Sequence, residues 1–253
     1  SGLTLPSQRV TFFNFLASHD GIGLDPARGI LTDEEIDALV SRAQQHGGFV
    51  SYKNNPDGAT SAYELNINYF DALSDPNAEE PRDTPIDRFV CAHSMMLALV
   101  GVPGIYFHSL FGSRGWREGV AQTGHPRAIN RERWERAALE RELSDPSSRR
   151  YRGLARLKRL LQVRAAHPAF DPYGEQRIVN CGDAVFAVLR FSPRGDDRVL
   201  CLHNVSNQPQ TIDLQSVGVR TRWWAEILTG KNLDTAGRHV PIGKYQVIWL
   251  TAE

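Results

Sequence analysis

The run Ser18-His19-Asp20-Gly21 sets an imidazole, a carboxylate and a flexible turn side by side. It follows a continuous apolar and aromatic stretch, Arg9 to Ala17, RVTFFNFLA. Such a stretch reads as a strand buried on both faces, as in a parallel sheet. In α/β barrels catalytic groups sit where strands of that kind end. Asp-Gly is also a common turn, so spacing alone favours Asp20 as a turn or capping residue. His19 reads as a neutral donor to a hydroxyl, or as a buried structural histidine. Arg131, in Ile129-Asn130-Arg131-Glu132-Arg133, carries a planar fork that could clamp a hydroxyl or carboxylate. The same run could open a solvated helix. Lys53 lies in a long polar segment and is a candidate contact for phosphate or an acidic acceptor, or else a surface lysine. His93 falls on an apolar helix face and reads as core. His108 closes a second apolar run and reads as core or pocket wall. No HExxH, P-loop or glycine-rich dinucleotide motif is present, so no cofactor or metal is implied.

The elements that must position these residues come in two characters. Thr32-Asp33-Glu34-Glu35 is a helix start with Thr32 as N-cap and Glu35 completing a capping box. Ile36, Leu39, Val40 and Ala43 keep helical spacing until Gly47-Gly48. Phe49 to Leu65 reads as a long polar loop. Ile86, Phe89, Val90, His93, Met96 and Leu97 mark a second helix, with Pro85 in its first turn. Ile105 to His108 then reads as a second buried strand, completing one βαβ unit. Gly112 to Arg133 is another long polar segment, and Tyr151 to Ala166 a helix with Leu154, Leu157 and Leu161 on one face. After Pro168, short strand-like runs are separated by turns: Ile178 to Leu189, Arg198 to Asn204, Gln210 to Leu214, Trp223 to Leu228 and Tyr245 to Leu250. Spacing of that kind predicts an antiparallel sandwich, with Trp223, Trp224 and Trp249 in its core.

The composition bounds the partners. Among 253 residues, 29 Lys and Arg balance 29 Asp and Glu, which leaves no electrostatic footprint for nucleic acid or an anionic membrane. The most apolar stretch, Met95 to Phe107, is too short to span a bilayer. Three scattered cysteines, Cys91, Cys181 and Cys201, read as reduced thiols of a cytoplasmic protein. A closed (β/α)₈ barrel takes eight strands and about 250 residues. Two parallel strands cannot close one, and the chain starts at Ser1-Gly2 without methionine. The first part is therefore either a small open sheet or, the favoured reading, the tail of something larger. With the resemblance set out next, the expected architecture is α/β: the C-terminal part of a (β/α)₈ barrel in residues 1–172, then an antiparallel β-sandwich domain in 173–253.

Phe15-Leu16-Ala17-Ser18-His19-Asp20 resembles the fourth conserved region of the α-amylase superfamily, at the end of the seventh barrel strand. Gly101 to Tyr106, GVPGIY, resembles the eighth strand with its lead-in. His19-Asp20-Gly21-Ile22-Gly23, Tyr63-Glu64-Leu65-Asn66, Tyr69 to Leu73 and Ile129-Asn130-Arg131 together are similar to the sucrose phosphorylase subfamily. The resemblance implies that Asp20 stabilises the transition state and His19 binds hydroxyls of the sugar in the −1 subsite. It implies that Arg131 helps fix the glucosyl ring, pairing with an aspartate of the N-terminal half, and that Tyr63 lines the mouth. Sucrose phosphorylases tend to carry Gln where this chain has Glu64. The YELN form, with Tyr52-Lys53 upstream, looks closer to relatives acting on sucrose 6′-phosphate or glucosylglycerate.

The implied activity is retaining transfer of α-glucosyl from sucrose or a related α-glucoside to phosphate, giving α-glucose 1-phosphate. Such a reaction needs a nucleophile and an acid/base carboxylate about 5–5.5 Å apart. The resemblance places both in an N-terminal half, which would be a partner of this chain alongside sugar and phosphate. Hydrolysis or transglucosylation by a relative, and a non-catalytic interaction module, are the competing expectations.

Overall fold

The computed structural model describes Leu5, Ser7 and residues 9–215, 223–234 and 239–252. The first part holds strands β1 (Phe13–Asn14) and β2 (Ile22–Gly23), helix α1 (Asp33–Gln45), strands β3 (Phe49–Asn54) and β4 (Thr60–Asn66), and helices α2 (Tyr69–Leu73) and α3 (Thr84–Ala98). Strand β5 (Val102–Pro103) and helices α4 (Phe107–Leu110), α5 (Arg117–Thr123), α6 (Arg136–Ser144) and α7 (Arg149–Ala166) follow. Then come β6 (Gln176–Asn180), β7 (Val185–Phe191), β8 (Arg198–Asn204), β9 (Gln210–Asp213), β10 (Trp223–Glu226), β11 (Lys231–Asp234), β12 (His239–Ile242) and β13 (Val247–Ala252). The chain forms two compact units, one of Phe15–Phe89 and Ile105–Leu154, the other of Ser1–Asn14, Val90–Gly104 and Ala155–Glu253.

In the first unit α1 starts where the sequence says it must. The Thr32 hydroxyl accepts from the Glu35 amide at 3.3 Å, and the Glu35 carboxylate accepts from the Thr32 amide at 2.8 Å. Ile36 and Ala43 pack with Leu24, Ala62, Leu65 and Ile67 in one apolar cluster. The segment 49–65, expected as a loop, is a hairpin: β3 pairs antiparallel with β4, and β2 adds to the other edge of β4. Its turn is closed by Asn55 N–H to Ala59 C=O at 2.8 Å, with Gly58 at φ +84°. An Asp-Gly turn between two pleated runs explains the hairpin.

In the second unit β1 and β5 form a parallel pair, Phe13 opposite Val102. The long buried strand expected over Arg9–Ala17 shrinks to two residues, and Phe13 is 66% and Phe15 56% exposed. Among the described residues β1 has one neighbouring strand, and the run lacks the burial on both faces that a full parallel sheet would give. The expected strand Ile105–His108 is likewise displaced: the ladder stops at Pro103, and a helical turn starts after Tyr106. Gly101 to Gly104, expected to break the preceding helix, contains the strand itself, Val102–Pro103.

The tail is a six-stranded antiparallel sheet in the order β11-β10-β13-β8-β7-β6 and a two-stranded pair, β12-β9. Ile212, Val240 and Ile242 of the pair share one core with Val185, Leu189, Leu200, Leu202 and Leu250 of the larger sheet. Trp249 is fully buried and packs 4.7 Å from Phe170, ring centre to ring centre. The side chains of Trp223 and Trp224 lie outside the described residues. Arg190 is also fully buried, and its guanidinium donates to the carbonyls of Ala98 at 2.9 Å and Asp171 at 2.8 Å. Burial pulls its pKa down to about 10. No helix among the described residues is long and apolar enough to cross a membrane.

His203 gives this unit a pH dependence. Its ring bonds Ser94 Oγ at 3.0 Å and the Phe186 carbonyl at 3.1 Å, and burial pulls its pKa down to about 4. An unfolded histidine titrates near 6.5. Between those values the unfolded chain binds the proton and the folded chain does not. Stability is therefore intact above about pH 6.5 and falls by about 3 kcal/mol as pH drops towards 4. Urea midpoints measured from pH 7 to pH 4 should show that fall, and His203→Gln should flatten this part of the profile.

Candidate active site

The site is built around the turn that carries Asp20. Ser18 N–H donates to Gly21 C=O at 2.9 Å, and the Asp20 amide donates to Ser18 Oγ at 3.2 Å. Gly21 sits at φ +138°, and a Cβ there would fall 2.1 Å from the Leu65 carbonyl oxygen. Only glycine lets the turn lie this close to β4. Two amides fasten the Asp20 carbonyl: Asn66 Nδ2 at 3.1 Å and Asn130 Nδ2 at 3.3 Å. Asn130 is in turn reached through its carbonyl by Tyr106 Oη at 2.6 Å. Burial raises the Tyr106 phenol, which stays a neutral donor.

The Asp20 carboxylate meets cations. Arg131 Nη2 donates to Oδ1 at 2.5 Å, while Arg131 Nε donates to the His19 carbonyl at 3.2 Å. His19 Nε2 lies 3.4 Å from the same Oδ1, with the ring 63% exposed. Arg127 Nε is 3.6 Å away on another side. Arg127 belongs chiefly to Glu64, which it grips with two parallel bonds: Nε to Oε1 at 2.9 Å and Nη2 to Oε2 at 3.1 Å. Asn66 Nδ2 adds a third donor to Glu64 Oε1 at 2.6 Å, and Arg127 Nη2 also lies 3.4 Å from Tyr63 Oη. The bond to Glu64 holds the Arg127 guanidinium above its ordinary pKa. Beside this network opens a cavity of about 700 Å³, walled in part by Trp116, His125, Arg127, Arg131 and Arg133. That volume suits a small polar ligand.

No protein-family model matches the chain. A glucosylglycerate phosphorylase of Allomeiothermus silvanus is 48% identical over 251 residues, which cover 99% of this chain and 42% of that protein. A glucosylglycerate phosphorylase of Spirochaeta thermophila is 43% identical over 96% of this chain and 42% of its own length. The chain is homologous to these glucosyl phosphorylases. It spans about two fifths of their length. The crystal structure of sucrose 6F-phosphate phosphorylase from Thermoanaerobacter thermosaccharolyticum shares the fold, with a TM-score of 0.63 at 22% identity over 76% of this chain and 36% of that one.

In this phosphorylase homologue the structure gathers His19, Asp20, Tyr63, Glu64 and Arg131 into one network. Lys53 stands apart from it, with Nζ 2.7 Å from Asp25 Oδ2. His108 is a buried side chain stacked edge-on against Trp134 at 4.4 Å, and burial lowers its pKa. His93 is buried as core. Sequence reasoning missed Arg127, which links Glu64 to Asp20. Its only signal was a place four residues before Arg131 in a charged run, indistinguishable by type from a surface arginine.

Proposed function

We propose that the complete enzyme containing this chain is a retaining α-glucosyl phosphorylase whose acceptor is glycerate. The observation that carries this reading is 48% identity, along 99% of the chain, to a glucosylglycerate phosphorylase. The presence of Glu64 rather than Gln agrees with it. The parallel pair β1–β5 is read as two neighbouring strands of a (β/α)₈ barrel, and residues 173–253 as its C-terminal sandwich.

Asp20 acts by electrostatics. As the glucosidic bond breaks, positive charge grows on the sugar ring, and a fixed carboxylate holds the ring hydroxyls more tightly in the transition state than before it. His19 supplies a further donor to those hydroxyls. Arg131 holds Asp20 in place and offers its remaining donors to the ring. The nucleophile and the acid/base belong to the length of the relatives that this chain does not span. Glu64 is read as a binding residue, its carboxylate held by Arg127 and Asn66.

The test supplies the complete enzyme with glucose 1-phosphate and one acceptor at a time: D-glycerate, fructose or fructose 6-phosphate. Phosphate release should be fastest with D-glycerate. Faster release with either fructose compound would overturn the glycerate assignment. Glucose as the main product with every acceptor would make the enzyme a hydrolase.

A further inference from the structure

The cavity beside Asp20 holds more cationic donors than its own carboxylates can use. Asp20 and Glu64 are two anions, and Arg131 and Arg127 are the two cations bonded to them. The other polar side chains of the wall are committed as well. Ser51 Oγ donates to Asn66 Oδ1 at 2.7 Å, and Thr123 Oγ1 donates to the Gly119 carbonyl at 2.7 Å. Two lining side chains remain, His125 and Arg133. Among the described residues neither side chain makes a hydrogen bond or an ion pair. Both are exposed to the cavity side of the solvent, so their donors are available at no cost of breaking an internal bond. Lys53, the cation that sequence reasoning nominated, is instead bonded to Asp25 and is not part of this wall.

We propose that Arg133, with His125 beside it, is the oxyanion-recognition element of the acceptor site, holding the carboxylate of glycerate or the phosphate that replaces it. The proposal rests on the phosphorylase reading above. Its physical motive is charge balance. Asp20 and Glu64 are balanced by Arg131 and Arg127, so an anionic acceptor gains most from a cation outside that balance. The charges of Arg127 and Arg131 are already paired with Glu64 and Asp20, although each guanidinium keeps spare N–H donors. Arg133 stands outside that pairing, and its planar fork matches a two-oxygen anion through parallel bonds. His125 contributes a ring N–H as a second, shorter donor.

The experiment uses the complete enzyme with Arg133→Ala, Arg133→Lys and His125→Ala. Four rates are compared: glucosyl transfer from glucose 1-phosphate to D-glycerate, to glycerol and to water, and phosphorolysis of glucosylglycerate at varied phosphate. Glycerol keeps the hydroxyls of glycerate and lacks the carboxylate. In Arg133→Ala, KM for D-glycerate should rise on the order of 10-fold or more, the size of one lost charge-assisted bond. Transfer to glycerol and to water should stay within about twofold of the parent, and Arg133→Lys should recover part of the loss. His125→Ala should show a smaller rise with the same selectivity. A rise for D-glycerate alone assigns the element to the carboxylate, a rise for phosphate alone to phosphate, and a rise for both to one shared anion site. Unchanged KM for both anions overturns the proposal. So does an equal loss with glycerol and water that Arg133→Lys leaves in place. An inactive parent enzyme would instead count against the phosphorylase reading, independently of these variants.

Discussion

Asp20→Asn in the complete enzyme should lower kcat by roughly 10²–10³ while KM changes little. The amide keeps the shape of the side chain. It removes the charge that meets the developing cation, and it replaces one acceptor oxygen with a donor facing Arg131 Nη2. The Asp20 backbone should stay in place, because Asn66 and Asn130 hold its carbonyl rather than its carboxylate. A melting curve close to the parent's would confirm that the loss is electrostatic. Stopped turnover with glucose 1-phosphate and D-glycerate is the measurement. A near-normal kcat would return Asp20 to the part of a turn residue.

Arg131→Ala should damage every reaction of the enzyme together, by about 10–100-fold in kcat/KM, as befits the loss of charged hydrogen bonds. Its fork spans two oxygens, the His19 carbonyl and Asp20 Oδ1. Both residues face the sugar common to all acceptors in the proposed mechanism. Arg131→Lys should rescue little, since one ammonium cannot reproduce two donors at fixed separation. Rates for phosphate, D-glycerate and water should fall by similar factors. A loss confined to anionic acceptors would move Arg131 from the glucosyl site to the acceptor site and exchange its part with Arg133. The two arginines lie two residues apart, so the contrast between their variants separates sugar binding from anion binding within one short segment.

The elements that could be read from sequence are those whose signals are local. Thr32 and Glu35 sit three residues apart, and the capping box they spell forms as written. Strand Arg198–Asn204 and the helix ending at Ala166 follow from periodicity over a few turns or pleats. The hairpin of β3 and β4 was hidden by its polar composition. Four of the six residues of β3 are exposed, so the alternation is weak, and the stronger clue was Asp57-Gly58 at the turn. The strand at Phe13–Asn14 is shorter than expected because RVTFFNFLA is mostly apolar and aromatic, and composition does not report how many neighbours a strand has. His19, Asp20 and Arg131, which the structure brings together, are nominated by their motifs. Arg127 is not, because its importance lies in where Glu64 and Asp20 stand in space. Lys53 was nominated as a free cation, and its pairing with Asp25, 28 residues earlier, is a tertiary fact.

The clasp around Asp20 also orders events in time. The bonds that hold it close loops of 46 residues to Asn66, 110 to Asn130 and 111 to Arg131. The hairpin of β3 and β4 closes across the few residues between Asn54 and Thr60. Chain entropy must be surrendered before distant contacts return anything, and it grows with the loop being closed. The hairpin that carries Tyr63 and Glu64 is thus expected to form before the Asp20–Arg131 bond. On refolding, the local hairpin should therefore be favoured ahead of the distant clasp that holds the carboxylate of Asp20.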